Sequence, residues 1–159
     1  MAKIERKYLA HYVNTAAPGE SAVYERLGKD LEEFSPELSA QVETKKNILG
    51  EMSVVISGYE KSGQVQTYYA ESGSGLFARL QEIIDKQLVL DDLKADVVEV
   101  KLWEEETSGA YPAIREEAYI EVTGYGGDTT GYQIPFTIHY TGEKVKGTFN
   151  VSTKTFTAA

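Results

Sequence analysis

The chain has 159 residues, a formal net charge of −9 and no cysteine. Its length suits one domain with a core of moderate size, and the lack of cysteine excludes disulfides, thiolate zinc sites and cysteine nucleophiles. The negative charge argues against a protein that binds nucleic acid by neutralising phosphates. No apolar run approaches the ~20 residues of a membrane span and no secretory signal is recognisable, so we expect a soluble protein made in the cytoplasm.

The first third of the chain predicts short strands separated by loops. Residues 3–13 are interpreted as an extended arm or a first strand, and the Pro-Gly of "NTAAPGES" marks a loop after it. A short strand is predicted at 22–28. Residues 29–50, "KDLEEFSPELSAQVETKKNILG", show weak periodicity and a Ser-Pro turn signal. They predict a long, partly extended loop, and loops of that length are commonly functional.

Residues 51–70 predict a β-hairpin. β-branched residues are frequent in "EMSVVISGY", with Met52, Val54 and Ile56 on one face. A four-residue turn then leads to "QVQTYYA" at 64–70, so the two segments are expected to pair with each other.

One α-helix is predicted at about 74–88. Its apolar residues recur at the three- and four-residue spacing of a single helix face: Leu76, Leu80, Ile83, Ile84 and Leu88. Ser74 stands at the N-cap position, and Arg79, Glu82 and Lys86 are expected mainly on the solvent side. The apolar stripe indicates packing against a core.

Alternating residues predict further strands in the second half of the chain, at 96–104, 114–123, 132–140, 145–151 and 154–157. The turn "TGEK" is expected to join 132–140 to 145–151 as a hairpin. About seven strands around one helix predict a mainly β fold of the α+β kind, a β-sandwich or barrel with a flanking helix.

No catalytic, cofactor or metal site is predicted. The glycines of "GYGGDTTG" precede a strand, whereas phosphate-binding glycine motifs precede a helix, so they are interpreted as turn residues with Asp128 capping its own turn. His11 and His139 lie in different predicted strands without a carboxylate at metal-ligand spacing. The acidic run at 104–106 lacks the spaced oxygens of a calcium loop. We therefore do not expect an enzyme or a cofactor.

Three stretches resemble a known family: "MAKIERKYLAHYVN", "YERLGKDLEEFSPELSAQVETKKNILGE" and "EEAYIEVTGYGGDTTGYQIPFTIHYTGEKVKGTF". They are similar to major tail proteins, the tail tube proteins of long-tailed phages and prophages of Gram-positive bacteria, and the resemblance covers nearly the full length. It implies one tail-tube domain over 1–159, with an N-terminal arm at about 1–14 and the long loop at about 29–50. In this family, subunits form hexameric rings by joining their sheets into an inner β-barrel, and the rings stack into a conduit for DNA.

The resemblance also implies partners and a location. The chain would assemble with copies of itself and with other tail proteins: a tape measure, a terminator, a baseplate and, in a contractile tail, a sheath. DNA would be a passing, non-specific cargo, no membrane is involved, and the location is the virion tail, assembled in the cytoplasm of the bacterial host. A tube that lets a polyanion slide is expected to have an acidic lumen, and the net charge of −9 agrees with this.

Candidate assembly residues follow from these expectations. The loop 29–50 is the candidate contact with the next subunit or ring, through charges of both signs: Glu32, Glu33, Glu37, Lys45 and Lys46. The hairpins 51–70 and 132–151 are candidate barrel strands. Their non-core face would line the lumen with Ser53, Val55, Ser57, Gln133, Thr137 and His139. The same alternation would suit an ordinary solvent face of a sheet.

Two other functions stay open. One is a monomeric β-sandwich module that recognises carbohydrate or a host cell surface, in which exposed tyrosines and Trp103 would stack on sugar rings. The other is a hydrolase with a carboxylate pair assembled from distant strands. Assembly at rising protein concentration would separate a tube subunit from a monomeric binding module.

Overall fold

The computed structural model of the chain describes residues 2–29, 31–104 and 109–159. They contain one α-helix, α1 (Gly75–Lys86), two 3-10 turns (Arg6–Tyr8 and Leu90–Leu93) and eleven strands. The strands are β1 (Leu9–Asn14), β2 (Tyr24–Leu27), β3 (Ala40–Lys46), β4 (Met52–Tyr59), β5 (Ser62–Val65), β6 (Lys94–Lys101), β7 (Ala110–Val122), β8 (Gly126–Asp128), β9 (Gly131–Gln133), β10 (Phe136–Asn150) and β11 (Thr155–Ala158). The expected mainly β fold with one flanking helix is confirmed.

Seven strands form one antiparallel sheet in the order β2, β1, β6, β7, β10, with β5 and β11 sharing the outer edge of β10. β5 pairs with the start of β10 and β11 with its end. The sheet curls into a half-barrel. The curl brings the ring centroids of Tyr12 in β1 and Phe149 in β10 to 4.4 Å, although β6 and β7 lie between these two strands.

Alternating side chains give the sheet an apolar cluster on each face. On one face, Leu76 and Leu80 of α1 pack against Val97 and Ile120. On the other face, inside the curl, a second buried cluster contains Ala10, Tyr12, Tyr24, Val98, Val100, Ala113 and Phe149. Neighbouring residues such as Val97 and Val98 therefore belong to different clusters, as the two-residue period of a strand requires.

The helix begins and ends near the predicted positions. The Ser74 side chain accepts a hydrogen bond from the amide of Phe77 at 3.4 Å, which confirms the N-cap. Glu25 of β2 also accepts from the amide of Leu76 at 3.0 Å, placing a carboxylate where the helix dipole favours negative charge. The expected position of Arg79 is wrong. Arg79 is buried, with an exposed fraction of only 3%. Its guanidinium group can lie there because it donates hydrogen bonds to the carbonyl oxygens of Asp92 and Lys94 at 2.6 and 3.3 Å.

Both predicted barrel hairpins are wrong in their pairing. β4 pairs with β3, which lies inside the stretch expected to be a long loop, and β5 pairs with β10. The segment 132–151 is not a hairpin, because β10 continues through "TGEK" with an irregularity between Tyr140 and Lys144. β7 pairs with β10 on both sides of that irregularity, so one long neighbour holds both halves of β10 in a single strand.

The glycine cluster forms the small hairpin β8–β9, as its interpretation as turn residues requires. Asp128 accepts a hydrogen bond from the amide of Thr130 at 2.8 Å, which confirms that it caps its own turn. Gly127 has φ +115°, and an added Cβ would lie 2.3 Å from the carbonyl oxygen of Gly131. Of the acidic run 104–106, Glu104 is exposed, and the other two residues lie outside the described part of the chain.

Candidate assembly surface

The hairpin β3–β4 is a separate two-stranded sheet that is exposed on both faces. Its eight exposed large apolar side chains are Val42, Ile48, Leu49, Met52, Val54, Val55, Ile56 and Tyr59. Single exposed apolar residues are ordinary on a protein surface, but eight on the two faces and tip of one hairpin are a concentration typical of an interaction site. The expectation that Met52, Val54 and Ile56 face the core of their own subunit is wrong.

The tip of this hairpin is held in a defined turn. The side-chain oxygen of Asn47 accepts from the amides of Leu49 and Glu51 at 2.9 and 3.0 Å. These bonds present Ile48, which is fully exposed, at the end of the hairpin. The eight residues of β4 correspond to a length of ~26 Å. The hairpin is therefore a long apolar arm with a preformed tip.

Five of the predicted assembly residues lie on this one hairpin. Lys45 pairs with Ser53 across the two strands, and Val55 pairs with Glu43. Lys46 and Ser57 lie on the same two strands. The structure thus brings residues predicted for a ring contact together with residues predicted for the lumen.

Five more of the predicted residues share an open groove of about 1030 Å³ beside the base of the hairpin. They are Glu32, Glu33, Glu37, Thr137 and His139. Glu121 also lines the groove, and its carboxylate lies 2.7 Å from Nε2 of His139. The groove is therefore polar and rich in carboxylates. Gln133 lies elsewhere, in β9, where its amide nitrogen is 3.3 Å from Asp128.

A buried charge cluster lies beneath the base of the hairpin. It consists of His11, Lys61, Glu99, Glu116 and Tyr140. Nζ of Lys61 is 2.5 Å from Oε1 of Glu116, and Nε2 of His11 is 3.1 Å from Oε1 of Glu99. The hydrogen bond from His11 holds the pKa of Glu99 below its usual value, and burial raises the pKa of the Tyr140 hydroxyl.

Sequence reasoning missed the apolar arm and the buried charge cluster. One signal for the arm was available, since "IL" stands between Asn47 and Gly50 in an otherwise polar stretch. For the cluster no local signal exists, because Lys61 and Glu116 are 55 residues apart in the chain.

The sheet has open edges at both ends. Within the described ranges, β2 pairs only with β1 and β11 only with β10, so each leaves one edge unpaired. An unpaired edge is a template for pairing with another strand.

Neither a metal cluster nor a membrane helix is found in the part of the chain that the structure describes. No group of three or more His, Asp or Glu side chains there could hold a metal ion. None of its helices has the length and apolar character needed to cross a bilayer. Comparison with known proteins finds no matching family model and no matching curated protein.

Proposed function

We propose that the chain is the structural subunit of a phage or phage-like tail tube, which self-assembles into stacked hexameric rings that form a hollow conduit for DNA. The observation that carries this proposal is the apolar arm β3–β4. Its side chains are left in water in a single subunit, and covering apolar surface is favourable by about 25 cal/mol per Å². A second subunit would bury these side chains, because the hairpin is exposed on both faces and does not pack on the core of its own subunit.

The shape of the sheet supports the same proposal. The sheet is curved like one half of a barrel, and its edges at β2 and β11 are open, so the barrel is not closed within one subunit. Joining such edges between subunits would give a continuous sheet without exposed strand edges, which are otherwise an aggregation hazard. The arm and the open edges are thus two different surfaces, one suited to reaching a neighbour and the other to extending the sheet.

The charge of the subunit fits a conduit for DNA. A net charge of −9 disfavours tight binding of a polyanion, so DNA would pass as cargo. The role is structural rather than catalytic. Its further partners would be the tape measure, terminator and baseplate proteins of a tail and, in a contractile tail, the sheath, with the virion tail as the location.

The test is assembly as a function of concentration, followed by sedimentation velocity and negative-stain electron microscopy. The wild-type chain is expected to form hollow rings or tubes with a regular axial repeat. A variant with Ile48→Asp and Leu49→Asp is expected to remain monomeric with an unchanged circular dichroism spectrum, because charge at the tip prevents burial of the arm. As a matched control, Val89→Asp changes an equally apolar, 62% exposed side chain outside the arm and should assemble normally.

Two results would contradict the proposal. One is a wild-type chain that stays monomeric at every concentration, even when seeded with fragments of preformed tails. The other is a tip variant that forms the same tubes as the wild type.

The alternative is a monomeric β-sandwich module that recognises carbohydrate or a host cell surface. It is favoured by Trp103, which is 43% exposed and could stack on a sugar ring. Under this alternative, the chain stays monomeric in the same experiment, and the fluorescence of its single tryptophan shifts when a binding glycan is added.

A further inference from the structure

The chain enters and leaves the hairpin β3–β4 through two short stems. The entering stem is 34–39 and the returning stem is 60–62. Backbone hydrogen bonds tie the stems to each other, since Glu37 and Ser62 exchange bonds of 2.7 and 3.0 Å and the amide of Glu60 donates to Ser39 at 3.3 Å. The two stems are therefore expected to move as one unit.

The returning stem is fixed by Lys61. Its ammonium group donates to Glu116 at 2.5 Å and lies 4.6 Å from the ring centroid of Tyr140. The backbone of Lys61 also accepts a hydrogen bond from the amide of Tyr140 at 3.0 Å. The side chains of Lys61 and Glu116 are only 14% and 3% exposed, so water screens this ion pair weakly.

The entering stem is fixed by Phe34. Its ring is edge-on to His11, with centroids 4.9 Å apart, and its carbonyl oxygen accepts from Arg6 at 2.9 Å. His11 is in turn bonded to Glu99. Both stems of the arm thus rest on the buried charge cluster.

Stability alone does not explain this cluster. Among the described residues, three of its buried polar atoms lack a hydrogen-bond partner: Nδ1 of His11, Oε2 of Glu116 and the hydroxyl of Tyr140. A buried ion pair is often no more stable than apolar side chains of similar size, and unpaired buried polar atoms are unfavourable. In some proteins a buried charged pair fixes a defined geometry that apolar packing does not.

We propose that the buried charge cluster is a clamp, which fixes the direction in which the hairpin β3–β4 projects from the sheet by holding Lys61 and Phe34 in place. Without the clamp, the hairpin keeps its own strand pairing but swings at its stems. The clamp itself is independent of any assembly. Its use, to aim the arm at a neighbouring subunit, rests on the proposed function.

The test measures the distance between the arm and the helix in the isolated subunit. Because the chain has no cysteine, Ile48→Cys and Lys86→Cys provide two unique sites for nitroxide labels at the hairpin tip and the end of α1. Double electron–electron resonance on dilute protein should give a single narrow distance peak. Adding Lys61→Met is expected to abolish this peak and give a broad distribution, with the circular dichroism of the sheet and helix retained.

A matched control distinguishes the clamp from loss of any ion pair. Lys94 pairs with Glu117, the neighbour of Glu116 on β7, at 3.3 Å, but it is not part of either stem. Lys94→Met should therefore keep the narrow peak. If Lys61→Met prevents folding, Glu116→Gln decides instead, because it keeps the shape of the side chain and a hydrogen-bond acceptor while removing its charge.

A narrow peak retained in the folded Lys61→Met or Glu116→Gln variant would overturn the clamp, as would equal broadening by Lys94→Met. The two proposals fail separately. An unlabelled wild-type chain that never assembles counts against the tube and leaves the distance measurement intact. If the wild-type chain forms tubes but the Lys61→Met variant keeps the narrow distance peak, the result counts against the clamp alone.

Discussion

At the scale of single residues, His11 and Glu99 form a hydrogen-bonded pair that is largely buried. His11 is 2% exposed at its side chain and Glu99 24%, and their nitrogen and oxygen atoms are 3.1 Å apart. A chemically identical pair, His139 and Glu121, lies on the surface with exposures of 51% and 58%. Exposed pairs contribute little to stability because water and salt screen them. The buried pair is therefore the one expected to affect stability.

The pKa of Glu99 predicts a pH dependence of folding. The hydrogen bond from His11 is the main cause of its lowered pKa, and the charges of His11, Lys61 and Lys101 act in the same direction. Because the folded-state pKa is depressed, the stabilisation is fully present above the ordinary value of 4.5 and is lost as the pH falls through the depressed value. We expect Glu99→Gln to reduce the free energy of unfolding by about 1–3 kcal/mol at neutral pH, with the loss disappearing in acid.

Urea denaturation of wild type and Glu99→Gln, from neutral pH to below the ordinary glutamate pKa of 4.5, checks the prediction. Glu121→Gln is the matched control, and it should change the free energy of unfolding little at any pH. A loss of stability in Glu99→Gln that is the same in acid and at neutral pH would show that the stabilisation does not depend on ionised Glu99.

At the scale of elements, the short strand β11 depends on a glycine. Gly147 in β10 lies opposite Ala158, and an added Cβ would be 2.1 Å from the carbonyl oxygen of Thr157. Gly147→Ala is therefore expected to push β11 off the sheet edge, with a loss of about 1–3 kcal/mol typical of overpacking. Hydrogen exchange should show loss of amide protection at 155–158 and little change in β7.

Gly58→Ala is the control for this substitution. An added Cβ at Gly58 meets its nearest heavy atom at 3.9 Å, which is ordinary contact. Unchanged protection of 155–158 in Gly147→Ala would mean that β10 shifts to accommodate the methyl group and that β11 is not held by close backbone approach.

An element could be predicted from the sequence where one of its faces is buried, because burial leaves a periodic pattern of apolar residues. The strands β7 and β10 and the helix α1 bury one face, so their apolar residues recur with the period of a strand or a helix. β3 buries neither face, and "AQVETKK" consequently carries no alternating apolar residues. Its assignment to a loop follows from that lack of pattern. The sequence predicts an exposed Arg79, because the hydrogen-bond partners that allow its burial are backbone carbonyls, which no pattern of side chains reveals.

The candidate site was predictable in part for the same reason. Charges on residues 29–50 indicate a surface, but they do not reveal that β4 pairs with β3 while β5 pairs with β10. The clamp joins Lys61 to Glu116, which are 55 residues apart in the chain. Such contacts between distant segments are set by topology and have no local sequence signature.

At the scale of the whole molecule, the net charge of −9 predicts a salt dependence of the proposed assembly. Like-charged subunits repel, and raising the ionic strength from about 0.05 to 0.5 M shortens the range of that repulsion to a few ångströms. Apolar contacts through the arm are not weakened by salt. The critical concentration for assembly, measured by sedimentation, is therefore expected to fall as salt rises. The tip variant should not assemble at any salt concentration, and a critical concentration that rises with salt would mean that ion pairs hold the subunits together.

The projecting hairpin β3–β4 has a consequence for any polymer built from this chain. Where the arm of one subunit contacts a different, receiving surface on the next subunit, the contact is not the same in both directions along an axis. Such heterologous contacts close into rings when the rotation between subunits allows it, and otherwise give open, directional assemblies. One end of the polymer would display free arms and the other free receiving surfaces. Growth rates at the two ends would then differ, and a protein that stops growth at one end would have no complementary surface at the other.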